Sequence, residues 1–165
     1  MSEMKAPEPA EEHGWLQQLV GDWSWEHDVP AQEGQPAATY RGTETVRSID
    51  GLWFIAEGGG DFGEAGNVTN IMTLGFDPAR RRYVGTFIGS MMTNLWVYEG
   101  EVDKSRNTLV LDTEGPSFTD PNVQAKYRDE MTIVDPDYRT LTSGYVDADG
   151  KWTVFMTAHY RRATK

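Results

Sequence analysis

The spacing of apolar residues along the chain changes at a single glycine. Between Glu11 and Val20, the residues Trp15, Leu16, Leu19 and Val20 form a stripe at helical spacing, which predicts a short helix that must stop at Gly21. Beyond Gly21 the period becomes two: Trp23, Trp25, His27 and Val29 alternate with Ser24, Glu26 and Asp28, as in a strand with one buried face. One or two helical turns are unstable alone, so the apolar stripe must rest on something larger. A plug over one end of a β-barrel is the natural use.

The alternation then recurs to the end of the chain. Tyr40–Ile49 and Leu52–Gly58 flank Asp50-Gly51, the strongest hairpin signal in the sequence. Gly58-Gly59-Gly60 and Gly63–Gly66 read as a flexible link into Val68–Phe76. Further strands are expected at Arg82–Ser90, Asn94–Val102, Thr108–Thr113, Gln124–Val134, Tyr138–Val146 and Lys151–Arg162. Turns at Asp77–Arg80, Asp103–Asn107, Asp135–Asp137 and Asp147–Gly150 separate them, and longer loops are expected at Pro30–Pro36 and Gly115–Asn122. About ten short strands with short connections predict an all-β, up-and-down antiparallel barrel, because closure removes the exposed edges. Residues 1–10 read as a loose tail and residues 11–165 as the barrel domain.

Composition narrows the function. Twenty-six acidic against fifteen basic residues give a net charge of −11, which repels nucleic-acid backbones and anionic membrane surfaces. Arg80-Arg81-Arg82 does not reverse this, since three arginines at one hairpin tip read as a solvated turn. Cysteine is absent, which removes disulfides, thiolate metal sites and thiol nucleophiles. No signal-peptide pattern and no apolar run of membrane-spanning length are visible, so a cytoplasmic protein is expected.

Gly21-x-Trp23 after a short helix, with a meander ending at Arg161 and Arg162, resembles the calycin superfamily, which includes lipocalins and fatty-acid-binding proteins. That resemblance implies a closed barrel end where Trp23 is covered by Arg161 or Arg162 in a cation–π stack. Over almost its whole length the chain is similar to an uncharacterised bacterial family, a domain of unknown function with a calycin-like barrel. The matching pieces are His13-x-x-Leu16-x-x-Leu19-x-Gly21-x-Trp23, Gly51-Leu52-Trp53 with Glu57, Gly75-Phe76-Asp77 with Tyr83, Ser90-Met91, Glu99-Gly100 with Asp103, Tyr127-Arg128-Asp129-Glu130, and Asp149-Gly150 before Tyr160-x-Arg162. The resemblance implies a fold and no activity.

Candidate ligand-binding residues are Glu57, Ser90, Met91, Trp96, Arg128, Met156 and His159. Arg128 offers a planar fork to a ligand carboxylate, although Arg128 and Glu130 share a strand face and equally suit a cross-strand ladder outside the barrel. The methionines, with Trp96 and Tyr98, suit an adaptable apolar pocket or an ordinary core. His13 reads as a cap of the plug helix. His27 and His159 are the histidines that a barrel interior would use, and a single interior histidine raises haem as a cofactor. No histidine pair has the spacing of a zinc motif, and no metal site is expected.

Three readings follow. The first is a module binding a small apolar or amphipathic molecule inside the barrel, with Arg128 or His159 fixing a polar end. The second is a barrel-mouth enzyme of the isomerase or lyase kind, using Glu57, His27 or His159 as acid–base group. The third is a filled barrel that serves as a structural or interaction protein, for example a homodimer through exposed strand faces. In each, Trp23 marks the closed floor, and any site belongs near the opposite rim.

Overall fold

Gly21 has φ +135°, a backbone angle that side-chain-bearing residues rarely adopt, and there the chain passes from its N-terminal α-helix into the barrel. The computed structural model describes residues 4–31 and 33–163. Helix α1 spans Glu11–Gln17, three residues shorter than the apolar stripe suggested, because Gln18–Val20 already form turns on the helix's last carbonyls. No serine, threonine or aspartate caps its start. Instead His13 turns back, and its Nδ1 accepts the Ala10 N–H at 2.8 Å while the ring meets the edge of Phe76. Residues 4–10 carry no regular secondary structure.

Ten antiparallel strands follow: β1 (Gly21–Val29), β2 (Ala38–Ile49), β3 (Trp53–Asp61), β4 (Asn67–Asp77), β5 (Arg82–Gly89), β6 (Trp96–Asp103), β7 (Thr108–Pro116), β8 (Gln124–Asp135), β9 (Tyr138–Val146) and β10 (Trp152–Arg162). Each pairs with its sequence neighbours, and β10 returns to β1 to close the barrel, with Trp23 opposite Arg162, Trp25 opposite Tyr160 and His27 opposite Ala158. The β2–β3 hairpin turns on Asp50 (φ 53°) and Gly51 (φ 73°), as Asp-Gly requires.

The glycine run at 58–60 departs from expectation. It is part of β3, not a link: Gly58 pairs with Asn70, Gly59 with Thr69 and Gly60 with Val68. A Cβ on Gly42 or Gly60 would lie 2.3 or 2.8 Å from the Trp25 ring, so these glycines leave the space that the inward indole occupies.

Helix α1 and the even-to-odd hairpins close one end, here called the floor; the β1–β2, β3–β4, β5–β6, β7–β8 and β9–β10 connections form the opposite rim. At the floor, Leu16 and Leu19 are almost fully buried, each contributing about 2 kcal/mol of apolar burial. Trp23 Nε1 donates to Leu19 O at 2.8 Å, Trp15 Nε1 to Asn107 Oδ1 at 2.8 Å, and Tyr83 OH to Glu12 O at 3.0 Å, which ties the plug to β1 and to the β6–β7 and β4–β5 hairpins.

Arg162, not Arg161, lies over Trp23, its guanidinium carbon 4.3 Å from the ring centroid. It also donates to the carbonyls of Val20, Gln18 and Pro136 at 2.8–3.2 Å, so one side chain joins helix end, β8–β9 turn and barrel closure. Arg161 has the opposite strand parity and stacks outside the barrel on Tyr138 at 4.3 Å.

Candidate functional site

The barrel interior is unevenly filled. Along β6–β8 several large side chains point inward: Trp96, Tyr98, Leu109, Leu111 and Tyr127. Trp96 meets the edge of Tyr127 with ring centres 5.2 Å apart, and Gly115 makes room for it, since a Cβ there would sit 2.2 Å from the indole. On the other side, Ala56 of β3, Gly89 of β5 and Ala158 of β10 contribute little bulk. A cavity of about 250 Å³ remains between them.

Its walls are aromatic and thioether groups. Phe54, Met72 and Phe87 come from β3–β5, Met131 and Met156 from β8 and β10, and Leu19 reaches up from the plug. Met91 and Met92, in the β5–β6 connection, line it at the rim together with Phe62, which leans on Trp25 and Tyr40 with ring centres 5.4 and 5.2 Å away. Thioethers accommodate varied shapes, so such walls adapt to an apolar guest.

Few polar groups reach this space. At its floor-side end Arg139 of β9 is 1% exposed, sandwiched between Trp23 at 4.6 Å and Tyr160 at 4.0 Å, and its Nη2 donates to Glu44 of β2. Two buried charges are tolerated because they face one another across the barrel. The Arg139 Nε has no hydrogen-bond partner. Nearer the rim, His27 lines the cavity, and its Nδ1 is buried without a partner. Burial lowers the His27 pKa below 6.5, outweighing the upward pull of Asp28, so the ring is neutral at neutral pH.

A second polar pair sits among the large residues. Tyr98 OH donates to Asp129 Oδ2 at 2.6 Å. Burial raises the Asp129 pKa, against the lowering effect of hydrogen bonds from Tyr98 and Ser143; burial and the Asp129 charge likewise raise that of Tyr98.

The structure gathers only part of the expected set. Met91 and Met156 line the cavity. Trp96 points inward but fills the barrel beside it, donating from Nε1 to Met92 Sδ at 2.8 Å. Ser90 is exposed at the rim, where its Oγ accepts the Thr69 N–H at 3.0 Å.

Glu57, Arg128 and His159 face outward. Glu57 lies between inward Ala56 and Gly58 on β3, and its side chain is exposed. Arg128 pairs with Asp112 of β7 at 2.9 Å on the outer surface, which places it away from any ligand in the cavity. Glu130, of the same parity, is buried beneath Arg106, which it meets at 2.6 Å. His159 sits between inward Ala158 and Tyr160, with Nδ1 2.6 Å from the Tyr138 hydroxyl. Of the three acid–base candidates, then, only His27 lines the cavity. A haem does not fit there: an apolar cavity of about 150 Å³ already takes benzene, and a porphyrin is several times larger.

Arg139, Glu44 and Asp129 are inward charges that residue type alone does not reveal. The signal was present in the alternation: Arg139 has the parity of Leu141, Glu44 that of Val46, and Asp129 that of Met131, so each is a charge on the apolar face of its strand. Among the described residues no cluster of histidine and carboxylate side chains is arranged to hold a metal ion, and no helix is long and apolar enough to cross a membrane.

Two solved structures share the barrel. The S-type phycobiliprotein lyase CPES from Guillardia theta superposes with a TM-score of 0.58 at 13% identity, over 94% of each chain. Rv2717c from M. tuberculosis does so with a TM-score of 0.61 at 12% identity, over 95% of this chain and all of that one. At such identities the likeness is one of fold. No curated protein matches the sequence. A family profile does, over residues 8–162, nearly the whole barrel with its plug: the chain belongs to the family of proteins of unknown function DUF1579.

Proposed function

We propose that this protein binds a small apolar or amphipathic molecule inside its barrel. The observation that carries the reading is the cavity of about 250 Å³, walled by methionine and aromatic side chains. Pockets for small ligands combine such walls with a few placed polar groups. His27 and Arg139 line this cavity, and His27 Nδ1 and Arg139 Nε are each buried and free of a protein partner. A cavity of about 150 Å³ takes benzene, so this one suits a guest of about ten non-hydrogen atoms, a two-ring system or a short chain. Met91 and Met156 act as contact residues in this reading. Glu57, Arg128 and His159, on the outer surface, take no part.

Native mass spectrometry of gently purified protein tests it. A discrete adduct of small mass, absent from Ala158→Leu, supports the reading, because the added isobutyl group occupies the guest's space. If the protein flies bare and no small aromatic compound adds to it, the binding function is overturned.

A further inference from the structure

The charges around the cavity specify more than its shape. Among the described residues Arg139 is the only permanent cation lining it, and Glu44 is the only carboxylate. The two are already joined, so the pair has no net charge to offer. A guest carboxylate would enter an apolar space where the one cation has its counter-ion, and where a second negative charge meets that of Glu44. An ion buried without compensation is costly by several kcal/mol, which no apolar contact of a small guest offsets.

An uncharged guest faces no such cost, and two of the residues lining the cavity each carry a nitrogen without a protein partner. The Arg139 Nε–H is a donor. The Nδ1 of the neutral His27 ring accepts or donates according to tautomer, and a hydroxyl group, which both donates and accepts, satisfies either. Asn70 lines the same rim-side region as His27 and adds a neutral amide there.

We infer that the barrel is selective for uncharged hydroxyl-bearing molecules, aromatic or short-chain, with His27 as their hydrogen-bonding anchor, and that it rejects the corresponding carboxylates. This rests on the binding function proposed above. It also runs opposite to the expectation that an arginine holds an acidic head group.

Calorimetric titration with naphthalene, 2-naphthol and 2-naphthoate at neutral pH separates the contributions, since the three share one ring system. The expected result is that 2-naphthol binds roughly five- to tenfold more tightly than naphthalene, the worth of one net hydrogen bond. The advantage disappears in His27→Phe, which keeps a ring in place. Binding of 2-naphthoate is expected to be weaker than that of 2-naphthol by more than about a hundredfold. Glu44→Gln leaves the Arg139 charge free and recovers 2-naphthoate binding; if that variant does not fold, the wild-type ratio decides. Equal binding of 2-naphthoate and 2-naphthol overturns the selectivity. A hydroxyl advantage that is missing, or that survives in His27→Phe, overturns the anchor. Failure of all three compounds to bind overturns instead the binding function on which the inference rests.

Discussion

Replacing Ala158 by leucine distinguishes a hollow barrel from a filled one by the sign of a stability change. Ala158 is 3% exposed, points inward from β10 and borders the cavity. Leucine adds three carbons. If they enter empty space, each contributes about 0.8 kcal/mol of burial that alanine lacks. Fixing the longer side chain costs about 0.5–1 kcal/mol of rotamer entropy. The net expectation is a stabilisation of about 1.5 kcal/mol, which for a chain of this size raises Tm by about 3–6 °C. Urea unfolding followed by tryptophan fluorescence measures it, with six tryptophans as reporters. Ala56→Leu, approaching from β3, is expected to act in the same direction. If the interior is close-packed instead, the same carbons force neighbours off their rotamers and cost about 1–3 kcal/mol. Destabilisation by both substitutions would refute the cavity.

Three further outcomes follow from the floor and the polar interior. Arg162→Ala removes the stack on Trp23 and the hydrogen bonds to three carbonyls, and is expected to cost about 2–4 kcal/mol in urea unfolding, against under about 1 kcal/mol for Arg161→Ala on the outer surface. Glu44→Leu or Arg139→Met alone strands a buried charge and is expected to cost about 3–5 kcal/mol, whereas the double variant recovers most of that loss; equal costs that simply add would show that the pair does not interact. For His27, a native pKa lowered by burial means that the unfolded chain binds more protons below pH 6.5. The protein is therefore expected to lose stability as pH falls from 6.5 towards the native value, a dependence that His27→Phe reduces when unfolding is measured across that range.

The features that were legible in the sequence are those written in the strand period. Trp23 and Trp25 share a parity and both point inward; the Asp50-Gly51 turn joins β2 to β3; the stripe from Trp15 to Leu19 packs on the floor. Closure by β1 and β10 follows from a meander that leaves no other partner for its two edges. The interior was less legible, because chemical type was weighted above parity. Glu57, Arg128 and His159 drew attention as charges or imidazoles within strands, yet each has the parity opposite to the core-facing residues of its strand and so points out. Arg139 looked like an ordinary strand residue, and only its position two residues before Leu141 reveals an inward guanidinium.

Other features depend on contacts across the barrel that no local pattern encodes. That Glu44 meets Arg139 requires β2 and β9 to face one another after closure, and neither strand carries a sign of the other. The glycine run at 58–60 suggests flexibility until the Trp25 ring is seen against Gly60. The uneven filling is similarly collective. It comes from Trp96 and Tyr127 crowding one side while Ala56, Gly89 and Ala158 line the other.

Crystals pressurised with xenon, which enters apolar cavities, test the apolar cavity within the barrel without any choice of guest. Ordered xenon is expected between Phe54, Met72 and Met156, and is expected to be lost in Ala158→Leu. Side chains filling that space, with no xenon bound inside the barrel, would contradict it.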